Sequence, residues 1–304
     1  MEQVDAYYRF LNKLSASWQG LTDKPEETPD TTLRALWYLA SGDRRSVKRS
    51  IFDSLPYLSD DELEQLDDYV EIRLTGTPLA HITKRQMFMG VEMLAGPGAL
   101  IPRKETETLG NAALAILQDI IQERGSAKVI DLCTGCGNLA LALAHHQPEC
   151  TVCGSDISEE AISLARQNAQ FLGLEERVNF IAGDLFEPFE NEEFYGNVDL
   201  LVCNPPYISS ARVDEMADEI AGHEPREAFD GGPFGVSVIM ALIKEGPKFL
   251  KPGAWLGFEV GLGQGKAMGK RMRRSGGFDQ IEEYCDAEGN IRSIFGKFID
   301  KSLR

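Results

Sequence analysis

From Val129 onward the chain alternates short apolar runs with stretches of helical spacing, and the first turn of that alternation is rich in glycine. Val129-Ile130-Asp131-Leu132 reads as a buried strand. It feeds Cys133-Thr134-Gly135-Cys136-Gly137, after which Asn138 to His146 has helical periodicity. Thr151 to Ser155 predicts a second strand ending at Asp156, and Ser158 caps a helix with Ala161, Ile162, Leu164 and Ala165 inward. Val178–Ile181, Val198–Cys203 and Ala254–Val260 predict further strands. Such alternation implies an α/β, Rossmann-like fold: a parallel sheet with helices on both faces. Gln280–Tyr284 and Ile294–Ile299 predict an antiparallel edge at the tail.

The preceding part has a different character. Residues 1–85 are helical in pattern: Tyr7, Tyr8, Leu11 and Leu14, then Leu33, Leu36, Trp37 and Leu39, then a helix capped at Ser59 with Leu63, Leu66, Tyr69 and Val70 inward. They predict a small N-terminal domain, a lid or brace or a substrate-docking unit. Residues 86–100 alternate and carry Gly90, Gly96 and Gly98, which predicts a β-hairpin connector. Ile101-Pro102-Arg103 leads into a helix from about Glu105 to Glu123, opening a main domain over 101–304. A chain of 304 residues suits two domains better than one core.

Composition removes several functions. The chain is 43% hydrophobic, so it is packed rather than disordered. Its formal charge of −17 repels polyphosphate, which disfavours a nucleic-acid or DNA partner. The basic run Lys266, Lys270, Arg271, Arg273 and Arg274 reads as a solvated helix face, or as a docking patch for an acidic or RNA-bearing partner. The acidic start Met1-Glu2-Gln3-Val4-Asp5 is unlike a secretory leader, and no apolar run approaches the ~20 residues that span a bilayer. A cytoplasmic protein without a membrane partner is expected. Six cysteines do not make a disulfide framework.

The glycine loop lets a backbone approach a ligand closely. Asp156 stands nineteen positions after Gly137, where an acid accepts both hydroxyl hydrogens of a ribose. Three readings stay open on this loop alone: a dinucleotide such as NAD, since Gly135-x-Gly137-x-x-Ala140 meets that fingerprint; a tight turn without ligand; and S-adenosylmethionine, whose cationic sulfonium gains from an acid such as Asp131. Cys133-x-x-Cys136 and Cys150-x-x-Cys153 invite zinc. However, residues three apart on a strand face opposite sides, which favours plain core thiols. No metal is expected.

Asn204-Pro205-Pro206-Tyr207 follows the strand Asp199 to Cys203. The prolines fix φ and carry no N–H, so carbonyls there are free to accept. The Asn204 side-chain oxygen and the Pro205 carbonyl can both take the hydrogens of one NH₂ group, and Tyr207 can stack on a flat acceptor. Asn204, Pro205 and Tyr207 are the candidate catalytic residues, with Pro206 beside them in acceptor binding. The four histidines, His81, His145, His146 and His223, read as surface or packing groups, His223 beside Glu224 being the best exception.

The chain here resembles the class I S-adenosylmethionine-dependent methyltransferases with an (Asn/Asp)-Pro-Pro-(Tyr/Phe) signature. Within them it is most similar to the HemK-like protein-glutamine N5-methyltransferases, which modify the Gly-Gly-Gln loop of release factors or a ribosomal-protein glutamine. The resemblance covers about residues 75–300. It is carried by Thr75 to Ala80, by Leu100-Ile101-Pro102-Arg103-Lys104-Glu105-Thr106-Glu107, and by His223-Glu224-Pro225-Arg226 with Asp230-Gly231-Gly232 and Gly235. Phe258-Glu259-Val260-Gly261 with Gln264-Gly265 completes it. It implies that Asp131 and Cys133, Thr134, Gly135, Cys136 and Gly137 hold the methionine part of S-adenosylmethionine. Asp156 would take the ribose, Asp184 and Leu185 lie by the adenine, and Asn204 to Tyr207 hold the acceptor. The implied partner is a protein with an exposed glutamine, the alternative a small molecule with a planar amide or guanidinium nitrogen. A flipped nucleobase, a catalytically silent binding module and an NAD oxidoreductase are the remaining readings. The chain departs from the family at Cys133 and Cys136, at Leu185 where an aromatic is common, and at Met87 and Met89.

Overall fold

The structure, a computed structural model, describes residues 2–18, 24–214 and 224–300. Among the described residues, five helices open the chain: α1 (Glu2–Ala16), α2 (Pro29–Ala40), α3 (Val47–Ser50), α4 (Asp60–Leu74) and α5 (Leu79–Thr83). Their starts follow from local chemistry. Thr28 caps α2 with Pro29 at its first position, and Ser59 and Glu62 form a reciprocal capping box on α4. Phe10, Leu14, Leu33, Leu36, Trp37, Leu66 and Val70 make a core belonging to these helices.

The connector is shorter than the sequence suggests. β1 (Arg85–Phe88) and β2 (Val91–Leu94) pair antiparallel around Met89-Gly90, and residues 95–100 are not strand. Helix α6 (Thr106–Arg124) then enters the main body.

The central sheet has seven strands: β3 (Ala127–Leu132), β4 (Cys150–Asp156), β5 (Val178–Ala182), β6 (Val198–Cys203), β7 (Leu250–Glu259), β8 (Phe278–Cys285) and β9 (Ile291–Phe298). Their order is β5-β4-β3-β6-β7-β9-β8; the first five are parallel, and β9 pairs antiparallel to both β7 and β8. Among the described residues, helices α7 (Asn138–His146), α8 (Glu159–Leu172), α9 (Ser210–Val213), α10 (Ser237–Glu245) and α11 (Gly265–Ser275) pack with the sheet.

Alternation along the strands sends neighbours to opposite cores. Val129 and Leu200 join α6, α7 and α8 on one face; Ile130 and Leu201 join α10 and α11 on the other. Cys150 and Cys153 divide the same way, as their spacing on one strand requires. All six cysteines are free. The basic side chains of α11 are exposed, and Arg273 pairs with Glu283 at 3.3 Å. No helix among the described residues is long and apolar enough to cross a membrane.

Candidate active site

Strand order reverses at β3. β4 and β5 lie to one side, β6 and β7 to the other, so the loops leaving β3 and β6 diverge and open a crevice. A cavity of about 350 Å³ fills it. Its wall carries Asp131, Cys133, Thr134 and Gly135 from the first loop, Asp156 from the end of β4, Asp184 and Leu185 after β5, and Asn204 and Pro206 after β6. The crossing of a reversed parallel sheet thus brings together residues that lie more than 70 positions apart.

The two acids brace the glycine loop. Asp131 Oδ2 accepts from Thr134 Oγ1 at 2.6 Å and from the Ala140 amide at 3.2 Å. Asp156 Oδ2 accepts from the Gly135 amide at 2.9 Å and its Oδ1 from the Ser158 amide at 3.0 Å. Burial pushes the Asp131 carboxyl up to about 7, against the pull of those donors, and raises Asp156 as well. A cation entering the cleft therefore favours ionisation of both. Gly135 is left-handed, with nothing within 4 Å of where a Cβ would stand, so its backbone is open to the cavity. Ile157, 64% exposed, gives the wall an apolar face beside Asp156.

Asn204 has an asymmetric environment. Its Nδ2 donates to Thr106 Oγ1 at 3.0 Å, while its Oδ1 is buried without a hydrogen-bond partner. A buried acceptor left unpaired costs about 1–3 kcal/mol, so it marks a place where a donor is missing.

Other expected residues lie behind the wall. Cys136 is buried against Ala99 and Ala161, and Gly137 starts α7 with its Cα turned toward Phe180. Both shape the loop without facing the cavity. Pro205 is buried. Tyr207 departs from its expected place. It is packed over Gly261 and its carbonyl accepts from Gln264 Nε2 at 3.0 Å, so its ring is not on the cavity wall.

Sequence reasoning assigned no role to the cavity's opposite wall, Gly98 to Leu100, Pro102, Arg103 and Thr106, although this segment carried the resemblance. Glu224 ties it to the loop after β6: its Oε1 accepts from the Ile101 amide at 2.7 Å and its carboxylate pairs with Arg103. His223 lies outside the described residues. His81 is buried, His145 and His146 meet edge to face, and His146 Nε2 is 2.8 Å from the Met89 carbonyl. None of these three lines the cavity.

A release factor glutamine methyltransferase of Geobacter sulfurreducens is 36% identical to this chain over 229 residues, covering 75% of it and 74% of the relative. The chain belongs to that family. A relative of the same name from Caulobacter vibrioides is 31% identical over 284 residues, 93% of this chain and 94% of its own. A methyltransferase-domain family model matches residues 123–242. Among solved structures, the hMettl16 catalytic domain in complex with an MAT2A 3′UTR hairpin superposes with a TM-score of 0.54 at 15% identity, covering 77% of this chain and 83% of that one. That likeness shows a shared fold. The chain is thus a methyltransferase of class I architecture, with S-adenosylmethionine as methyl donor. The cavity fits that donor: two acids, one open glycine and apolar side chains at Ile157 and Leu185 line one continuous wall.

Proposed function

We propose that this protein methylates the N5 nitrogen of a glutamine side chain, the glutamine of the Gly-Gly-Gln loop of a peptide-chain release factor. The observation that carries the reading is the Asn204 side-chain oxygen, buried and without a donor at the carboxyl end of β6. When bound, S-adenosylmethionine supplies an electrophilic methyl carbon. Asp131, Cys133, Thr134 and Gly135 hold its methionine part, with Cys136 and Gly137 setting the loop's shape. Asp156 takes the ribose hydroxyls, and Asp184, Leu185 and Ile157 flank the base.

An amide nitrogen is a poor nucleophile, because its lone pair is delocalised into the carbonyl. Asn204 Oδ1 and the Pro205 carbonyl take its two hydrogens, localise density on nitrogen and fix its direction. As positive charge grows on nitrogen, those hydrogen bonds become charge-assisted and strengthen, which stabilises the transition state over the ground state. No separate general base is needed. Pro206 walls the acceptor, Tyr207 supports the turn from behind, and the helical domain over 1–85 docks the protein substrate. Six free thiols suit a reducing compartment such as the cytoplasm.

The test is transfer of labelled methyl to purified release factor, followed by mass spectrometry of the Gly-Gly-Gln peptide. Asn204→Ala is expected to lower turnover by ~10²–10³-fold, the scale for losing one oriented group at a developing charge. Affinity for S-adenosylhomocysteine should be nearly unchanged. Label confined to small molecules, or wild-type turnover in the variant, would overturn the reading.

A further inference from the structure

We propose that Gln264 is a positioning residue that clamps the exit of the Asn204–Tyr207 corner, so that Asn204 Oδ1 and the Pro205 carbonyl keep their aim at the acceptor. The inference rests on the acceptor role given to those two groups above. Pro205 and Pro206 have no N–H, so their peptide units can be held only through carbonyls or by close packing. The Pro205 carbonyl has to stay open for the acceptor. One end of the corner is fixed by β6, whose Cys203 pairs with Leu132 and Phe258. The other end begins at Tyr207, and what holds it there sets the direction of everything between.

Gln264, the residue before α11, holds it with its whole amide. Nε2 donates to the Tyr207 carbonyl at 3.0 Å and to the Gly235 carbonyl at 3.1 Å, and Oε1 accepts from the Gly261 amide at 2.9 Å. Two carbonyls on one side and an N–H on the other admit one orientation. Reversed, the oxygen would face two acceptors and the NH₂ a donor. Three backbone segments, after β6, before α10 and after β7, therefore meet at one side chain. The fit around it needs glycine. A Cβ at Gly235 (φ 67°) would collide with the Tyr207 carbonyl, and one at Gly231 with the Pro206 carbonyl. At Gly261 a Cβ would lie 3.0 Å from Tyr207 Cδ2. The turn that carries Gly231 and Gly235 is also tied to the corner's exit. The Ile208 amide donates to the Phe229 carbonyl at 3.0 Å, and the Gly231 amide to the Ile208 carbonyl at 2.8 Å. Gln264 is not on the cavity wall, so it acts on a bound acceptor only through the corner.

The experiment uses the full chain carrying Gln264→Ala and Gln264→Glu, each alone and with Asn204→Ala. Gln264→Glu keeps the size and the acceptor for the Gly261 amide, but sets an oxygen where two carbonyls need a donor. Both are expected to lower kcat by about 10–100-fold, the scale of a reacting group displaced by ~1 Å. S-adenosylhomocysteine affinity, which reports the intact cleft, should stay within about threefold. In the Asn204→Ala background either change should cost less than about threefold further, because the group it aims is gone. An equal loss in both backgrounds, or none in either, would overturn the clamp. Should Gln264→Ala fail to fold, Gln264→Glu decides. A second readout is independent of the acceptor's identity. A crystal structure of Gln264→Glu should show the Tyr207 carbonyl and Asn204 Oδ1 displaced by ~1 Å or more, with β6 and the glycine loop in place. An unmoved corner overturns the clamp. A displaced corner in a protein whose wild type methylates no glutamine would leave the clamp standing and sink the glutamine reading instead.

Discussion

Gly135 and Gly137 stand two positions apart and are left-handed for different reasons. At Gly135 a Cβ would meet nothing within 4 Å; at Gly137 it would lie 2.7 Å from Phe180 Cζ and 3.1 Å from Leu141 Cδ1. Gly135→Ala is therefore expected to cost only the left-handed penalty, ~1–2 kcal/mol, while placing a methyl in the cleft and weakening cofactor binding. Gly137→Ala adds overpacking of ~1–3 kcal/mol to the same penalty. Denaturant midpoints and calorimetric titration with S-adenosylhomocysteine check both, and equal stability losses would contradict the distinction. Two left-handed residues on the same wall, Cys133 (φ 55°) and Leu185 (φ 45°), are not glycine. Strain of that kind collects at functional sites, where surrounding packing over-determines the backbone. At this scale the glycines, both acids and Asn204 could be read from sequence, because each carries its chemistry in its residue type and spacing. Thr106 could not, since its meaning lies in the hydrogen bond it accepts from Asn204, 98 positions away.

Among the elements, α8 holds the site together through one side chain. Asn168, fully buried, accepts from the Leu94 amide at 2.6 Å and donates to the Leu94 carbonyl at 3.2 Å and the Cys136 carbonyl at 3.0 Å. It joins the end of the hairpin to the glycine loop. Asn168→Leu leaves those backbone groups unpaired in a dry interior and should destabilise by about 2–4 kcal/mol. A melting temperature equal to wild type would show that water or a shifted hairpin replaces the bonds. Nothing in sequence marks Asn168, which reads as an indifferent residue inside a helix; its partners are 74 and 32 positions away. The strands were easier, because both faces of the sheet are buried and strand runs are continuously apolar. β7 starts at Leu250 rather than near Ala254. A register shift against β6 accommodates Pro252 and Gly253, which sequence rules otherwise exclude from a central strand. Helices α3 and α5, of four and five residues, are too short for periodicity to show.

Across the whole molecule, the core of α1–α5 is, among the described residues, a cluster apart from the two cores that flank the sheet, with Ala80 of α5 packing on Ala95 and Ile101 beyond the hairpin. Polar contacts help to join them. The Ser46 amide and Arg49 Nη1 donate to Glu92 on β2 at 2.8 and 3.0 Å, and Lys48 reaches Glu107 at 3.9 Å. The Lys48–Glu107 pair is partly exposed and contributes ~0–1 kcal/mol, and the largely buried Glu92 contributes about 1.5–3 kcal/mol through its charge-assisted bonds, together too little to make separate cores open as one. A ligand that binds only the native cleft stabilises what must be intact to bind it, by about 2.7 kcal/mol at a hundred times its Kd. Hydrogen exchange with saturating S-adenosylhomocysteine should therefore slow by up to that increment in β3, β4, β6 and α7. Amides of α1, α2 and α4 should keep their rates. If those helices gained the same protection, the molecule would open as a single unit, and cofactor binding would reach the helical domain through stability alone. If they do not, filling the cleft leaves the stability of the helical domain unchanged.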